Sequence, residues 1–210
     1  ERLRTRALND IQRSDANPNI IARNAYSKLL YGEDHVLGHP AYGSMESVAA
    51  ITMDDLKAFY DTYFTPSVSS FQIVGKMNKS DVLNYLGQLG ERWEAKEVSF
   101  PEYAAPQERD KTTLYFVDVP NAKQSVINIG YPSLSRSDAD FYAAEVMNYK
   151  LGGSFSGNVN LILREEKGYT YGARTNFHGG KNYGSFIASS SVRTNTTGES
   201  VAIFRDEITK

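Results

Sequence analysis

The stretch that decides the fold lies at residues 151–172 and reads LGGSFSGNVNLILREEKGYTYG. Gly152 and Gly153 follow an apolar helical run, at the place where a helix stop signal belongs. The residues after this turn predict a second helix with Arg164 near its end, followed by the start of a strand. Because Arg164 and Tyr171 lie seven residues apart across that helix end, a fixed cation and a phenol can converge on one groove.

The segments around this stretch alternate between strand and helix patterns. Runs rich in β-branched and aromatic residues predict strands at residues 113–119, 124–132, 169–178 and 183–193. Apolar residues at helical spacing predict helices at residues 138–151, from the glycine turn to residue 167, and from about residue 197 onward. This ββααββα order predicts the α+β class, with an antiparallel-rich sheet and helices on one face.

The first half of the chain reads as mostly helical. Helices are predicted up to the break at Asn17-Pro18, directly after it, at residues 54–63 with Thr52 as N-cap, and at residues 79–93. Residues 69–77 predict one strand, and two prolines with the charged residues 107–111 predict a linker.

These patterns predict three successive regions of the chain. We expect residues 1–98 to be the C-terminal part of a preceding, mostly helical α+β domain with one strand. Residues 99–111 are expected to be a linker. Residues 112–210 are expected to form a second α+β domain that is truncated at its end.

The composition narrows the class of protein. With 40% hydrophobic residues the chain can bury a core, and a net charge of −2 gives no broad basic field for nucleic acid. No run approaches the ~20 apolar residues that a membrane span needs. The absence of cysteine excludes disulfides, thiol catalysis and cysteine metal sites, and leaves the compartment open.

The pattern LGG-x-F-S-G followed by L-R-E-x-K-G-Y-x-Y-G resembles a known domain type. It is similar to the C-terminal-type domain of the pitrilysin/insulinase zinc metallopeptidases, the inverzincins, which include the mitochondrial processing peptidase. Residues 28–40 and 44–67 look like the end of the preceding family domain. The resemblance implies metallopeptidase-like α/β roll repeats. It also implies that Arg164 and Tyr171, with Gly152 and Gly153 of the turn, contact the substrate backbone near the scissile bond.

The zinc signature of this family is missing from the chain. Inverzincins bind zinc through H-x-x-E-H and a distal glutamate, and the glutamate of the motif is the general base. His35 and His39 have the spacing of the pair, but HVLGH contains no glutamate and lies in a Gly- and Pro-bounded loop. Asp10 falls at the position of the distal ligand and is more simply a solvated helix residue. We therefore expect no metal site and no catalytic residue in this chain, and expect zinc in the complete enzyme.

The leading hypothesis is the substrate-binding half, or clamp, of a zinc metalloendopeptidase. Its expected partners are a peptide or protein substrate and a domain or subunit that carries H-x-x-E-H. The alternative is a non-catalytic structural subunit of the same fold. A hydrolase that uses a serine of SFSG with His178 is disfavoured, because no G-x-S-x-G elbow exists.

Simpler interpretations of the same residues stay open. Glycines at 152, 153 and 157 also suit a helix stop, and Arg164 also suits a helix-end cation beside Glu165 and Glu166. Tyr171 also suits cross-strand packing, as its neighbours Tyr169 and Phe177 do.

Overall fold

The computed structural model describes residues 1–106 and 110–210, which divide into two compact units. The first unit comprises Glu1–Met45 and Tyr103–Lys210, and the second comprises Glu46–Glu102. The family-domain boundaries expected near residues 98 and 112 stay a prediction. Part of the expected linker, residues 107–109, lies outside the described residues.

The helices follow the predicted order. They are α1 (Arg2–Ser14), α2 (Pro18–Tyr31), α3 (Met45–Ala50), α4 (Met53–Tyr63), α5 (Lys79–Gly90), α6 (Phe141–Asn148), the single turn α7 (Asn158–Asn160) and α8 (Thr197–Ile208). Thr52 caps α4 as expected, and with Asp55 it forms a complete capping box. In the described ranges no helix is both long and apolar enough to cross a membrane.

Within residues 1–106 and 110–210, three antiparallel strands form the sheet, in the order β1-β3-β2. They are β1 (Gln124–Ser133), β2 (Thr170–Gly179) and β3 (Gly184–Arg193). These strands match three of the predicted ones within one or two residues. The α+β class and the antiparallel sheet are therefore confirmed.

One face of the sheet carries the hydrophobic core. Along β3 the side chains of Phe186, Ala188 and Val192 are buried on the same face, as the two-residue period of a strand requires. They cluster with Leu163 from the segment after α7 and with Phe204 of α8. The core thus packs the helical segment that follows the glycine turn, together with α8, directly onto the sheet.

The other face of the sheet meets α2. Ser191, which alternates with the buried Val192, donates its hydroxyl to Asn19 Oδ1 at 3.0 Å. The Tyr26 hydroxyl donates to the Phe186 carbonyl at 2.8 Å. Burial raises the pKa of Tyr26, and the nearby tyrosines add to the effect. The phenol therefore stays protonated as a donor.

Two predicted strands are wrong. Residues 69–77 and 113–119 have no strand conformation and do not join the sheet, although both carry apolar residues in the expected pattern. An extended apolar segment becomes a strand only when a neighbouring backbone completes its hydrogen-bond ladder. The sequence pattern shows that the side chains suit a strand, but it does not show whether a neighbouring strand is available.

Smaller differences concern helix ends. The helix expected to reach Trp93 ends at Gly90, and the short helix α3 was not predicted. The loop between His35 and His39 contains one 3₁₀ turn, Val36–Gly38. Such boundaries depend on local hydrogen bonds that periodicity does not encode.

Candidate functional site

The glycine turn packs closely against neighbouring residues, which leaves no room for a side chain at its glycines. A Cβ on Gly152 would lie 2.6 Å from Val159 Cγ2 and 2.9 Å from the Thr175 nitrogen on β2. A Cβ on Gly157 would lie 2.7 Å from Gly152 Cα, and one on Gly153 would lie 2.9 Å from Asn148 Nδ2. The turn is therefore pressed against the sheet and against itself. This packing supports the simpler interpretation of the glycines.

Two π-helical turns flank this glycine turn. The first, Tyr149–Gly153, continues α6, and the second, Leu161–Glu166, continues α7 and contains Arg164. π-helical turns are rare and occur frequently at functional sites. The predicted helices at residues 138–151 and up to 167 are thus present, but both end in a widened turn beside the same loop.

Two buried asparagines tie this region to β2. Asn148 donates from Nδ2 to the Thr175 carbonyl at 3.0 Å, and its Oδ1 accepts from the Thr175 hydroxyl at 2.5 Å. Asn160 accepts from the Ala173 N–H at 3.0 Å. Since Ala173 and Thr175 point these groups away from β3, the outer edge of β2 is already occupied at both positions. A further strand cannot simply extend the sheet there.

A β-bulge at the start of β2 presents Tyr171. The pairing register with β3 shifts between Thr170 and Ala173, which leaves one extra residue on β2. The Thr170 hydroxyl accepts from the Gly172 N–H at 3.1 Å, and Ser190 Oγ donates to the Gly172 carbonyl at 2.9 Å. Tyr171 is 93% exposed as a result. It does not pack across strands, unlike Phe177, whose ring lies 5.0 Å from that of Phe186.

Arg164 lies between an aromatic ring and a carboxylate. Its Cζ is 4.5 Å from the centroid of the Phe155 ring, and its Nη1 is 2.9 Å from Glu165 Oε1. The approach to Glu165 lacks hydrogen-bond geometry, so Nη1 is a buried donor with no hydrogen-bond partner among the described residues. An unsatisfied buried N–H is costly. The oxygen of a bound ligand would satisfy it.

The segment between Arg164 and Tyr171 is anchored to α8. Glu199, in the first turn of α8, accepts from Lys167 Nζ at 3.1 Å and from the Tyr169 hydroxyl at 2.6 Å. The Tyr169 hydrogen bond, with a smaller contribution from Lys167, lowers the pKa of Glu199. The same bond raises the pKa of Tyr169. These contacts fix the path by which the chain leaves the second π-helical turn and enters β2.

The predicted site residues thus occupy one region, but not all are in contact. Gly152 and Gly153 form the turn, Arg164 lies in the adjoining helix, and Tyr171 lies on the bulge. Within the described part of the chain no hydrogen bond, ion pair or ring contact joins Arg164 to Tyr171.

Sequence reasoning missed four residues of this region. They are Asn148, Phe155, Asn160 and Glu199, which hold or orient the predicted ones. The only signal was an asparagine in each helical run, since asparagine favours caps and turns over helix interiors. Periodicity and motif spacing contain no information about the partner of a side chain.

The histidines do not form a metal site. His35 accepts from the Leu37 N–H through Nδ1, whereas His39 bonds the Glu33 carbonyl through Nε2. Asp10 pairs with Arg6 at 3.9 Å on an exposed helix face. Across residues 1–106 and 110–210 no group of three His, Asp or Glu side chains could hold a metal ion. The described residues therefore do not fit zinc.

The structure is thus an α+β domain that brings Arg164 and Tyr171 into the region of one glycine turn and has no metal centre in its described residues. The model of the family described as the peptidase M16 inactive domain matches residues 50–210. The chain belongs to this family.

Two curated relatives and one solved structure illustrate the relationship. An uncharacterized zinc protease of Streptomyces coelicolor is 24% identical over 205 residues, which are 96% of this chain and 44% of that protein. The uncharacterized zinc protease YmxG of Bacillus subtilis is 28% identical over 166 residues, 77% of this chain and 38% of that protein. The crystal structure of a peptidase M16 inactive domain from Pseudomonas fluorescens superposes with a TM-score of 0.89 at 23% identity, covering 99% of this chain and 50% of that one. The chain spans less than half the length of these curated relatives.

Proposed function

We propose that this chain is the substrate-binding half of a zinc metalloendopeptidase, and that Arg164 and Tyr171 contact the peptide backbone. The observation that carries the proposal is the buried Nη1 of Arg164, which has no hydrogen-bond partner among the described residues although it lies 2.9 Å from Glu165 Oε1, in the same region as the 93% exposed Tyr171. Both donors suit a carbonyl oxygen. Zinc is expected in the complete enzyme and would be bound by the H-x-x-E-H half, because the residues that the structure describes do not fit it.

The geometry suggests how a peptide binds. Since Asn148 and Asn160 already occupy the outer edge of β2, we expect an extended peptide to pass over the bulge rather than lengthen the sheet. Gly153, which is exposed, then offers a surface without a side chain beside the peptide, whereas Gly152 is buried within the turn. Arg164 and Tyr171 donate to a substrate carbonyl and stabilise the negative charge that develops on its oxygen during hydrolysis. Losing one such donor costs about 2.7–4 kcal/mol of transition-state stabilisation.

The chain offers a matched control for Arg164. Arg205 on α8 also pairs with the acidic residue that follows it, Asp206, at 2.8 Å, but it is more exposed and lies outside the site. We expect Arg164→Ala to lower the turnover of a quenched fluorescent peptide about 10²–10³-fold in the assembled enzyme. Tyr171→Phe should lower it as well, and Arg205→Ala should leave it unchanged.

The decisive comparison is between the chain alone and the chain mixed with its H-x-x-E-H half. We expect peptide hydrolysis only in the mixture, and its loss on addition of a chelator. Equal turnover of the Arg164 and Arg205 variants would rule out the proposed role of Arg164. No hydrolysis by a verified complex would instead favour the alternative, a structural subunit of the same fold.

A further inference from the structure

We propose that Asn160 is the positioning residue of this site, which holds Phe155, and through it Arg164, in register with the bulge that presents Tyr171. This inference rests on the proposed function. It concerns how the two substrate-contacting side chains are kept in place, although they do not touch one another.

The side-chain amide of Asn160 forms a hydrogen bond through both its nitrogen and its oxygen. Nδ2 donates to the Phe155 carbonyl at 2.7 Å, and Oδ1 accepts from the Ala173 N–H at 3.0 Å. The residue is 3% exposed, so water does not compete for either bond. The reversed amide would set N–H against N–H and oxygen against oxygen, which fixes its orientation. One amide therefore spans the gap between the glycine turn and β2.

The first bond determines where Arg164 lies. The Phe155 ring beneath its guanidinium is 66% exposed, so packing alone does not hold the ring in place. The backbone of Phe155 is fixed by the bond from Asn160 to its carbonyl. A cation–π contact at 4.5 Å then sets the plane of the guanidinium. Asn160 also precedes Arg164 by one helical turn, so the ring and the cation share one anchor.

The second bond determines where the bulge lies. Ala173 is the first residue after the bulge to regain the pairing register with β3. Its N–H points away from β3 and is held by Asn160. Two residues earlier, Tyr171 is exposed, and the backbone of the bulge presents it to solvent. Asn160 thus bonds both the backbone of Phe155, whose ring contacts the guanidinium, and the first residue after the bulge that presents the phenol.

Asn148 provides a matched control. It is also a buried asparagine that donates to one carbonyl and accepts one bond, but both of its bonds go to Thr175. Asn160→Leu and Asn148→Leu each remove one donated and one accepted bond at similar burial. A purely structural role predicts similar consequences for both variants.

The experiment is a double-mutant cycle read by peptide affinity. A fluorescein-labelled casein digest is titrated with the assembled protein in the presence of chelator, and fluorescence anisotropy gives the affinity. We expect Asn160→Leu to weaken binding about tenfold in the wild-type background and less than about twofold in the Arg164→Ala background. Asn148→Leu should change the affinity by the same factor in both backgrounds, because Asn148 bonds neither Phe155 nor Ala173. Phe155→Ala, a change at an exposed ring, should reproduce the dependence on Arg164.

The outcomes separate this inference from the proposed function. If Arg164→Ala alone leaves the affinity unchanged, the proposed function fails. If Arg164→Ala weakens binding but the effect of Asn160→Leu is the same in both backgrounds, or is matched by Asn148→Leu, Asn160 has no positioning role. If Phe155→Ala leaves the affinity unchanged, Asn160 does not position Arg164 through the Phe155 ring. If Asn160→Leu does not fold, the exchange rate of the Ala173 amide is measured in the wild-type protein instead. The inference requires this amide to exchange slowly, and fast exchange would contradict it.

Discussion

Substitution of Gly152 by alanine tests whether the glycine turn is held by close backbone contact. The added Cβ would lie 2.6 Å from Val159 Cγ2, 2.7 Å from Thr175 Oγ1 and 2.9 Å from the Thr175 nitrogen. Thr175 cannot yield easily, because it is paired with Ala188 across the sheet and bonded to Asn148. We therefore expect the upper end of the overpacking range, about 3 kcal/mol of unfolding free energy.

This loss is large enough to measure by thermal unfolding. For a protein of this size about 3 kcal/mol lowers Tm by about 6–12 °C. Gly198→Ala is the control, because its Cβ meets no atom within 4 Å and it lies in the first turn of α8. It should be neutral or stabilise by about 0.5–1 kcal/mol. If Gly152→Ala and Gly198→Ala unfold at the same temperature, the steric explanation of the turn is incorrect.

Two further predictions concern side-chain contacts. Hydrogen bonds from Tyr169 and Lys167 lower the pKa of Glu199 from its ordinary value of 4.5. The ionised carboxylate therefore stabilises the folded state fully above that value, and this stabilisation is lost as the pH falls through the lowered pKa. Glu199→Gln should therefore lower Tm at neutral pH and converge with the wild type in acid, and a constant difference across the titration would contradict this. Thr52→Ala removes the N-cap of α4 and should reduce the unfolding free energy of the second unit by about 1 kcal/mol in urea, whereas the exposed Thr62→Ala in the same helix should not.

The elements that the sequence predicts correctly are those whose partners lie nearby in the chain. The strands β2 and β3 pair through a short turn, and the periodic burial along β3 is visible as alternation in the sequence. Residues 113–119 have an equally good strand pattern and fail, because a strand also requires a neighbour that the pattern does not name. The same limit applies to Asn160, whose two partners lie five and thirteen residues away in opposite directions. Motif spacing located Arg164 and Tyr171 but could not show what holds them.

The residues of the 151–172 stretch separate into two groups by exposure, and this separation bears on function. The buried ones, Gly152 and Asn160, have a packing or hydrogen-bonding reason to be where they are. Tyr171 at 93% exposure and Phe155 at 66% exposure have none, since an exposed aromatic ring buries little apolar surface. Stability therefore explains the framework and leaves the two rings unexplained. The proposed binding role would account for them, because a peptide bound here would cover the exposed aromatic rings and could accept a hydrogen bond from the buried Arg164 Nη1, which has no such bond within the described residues.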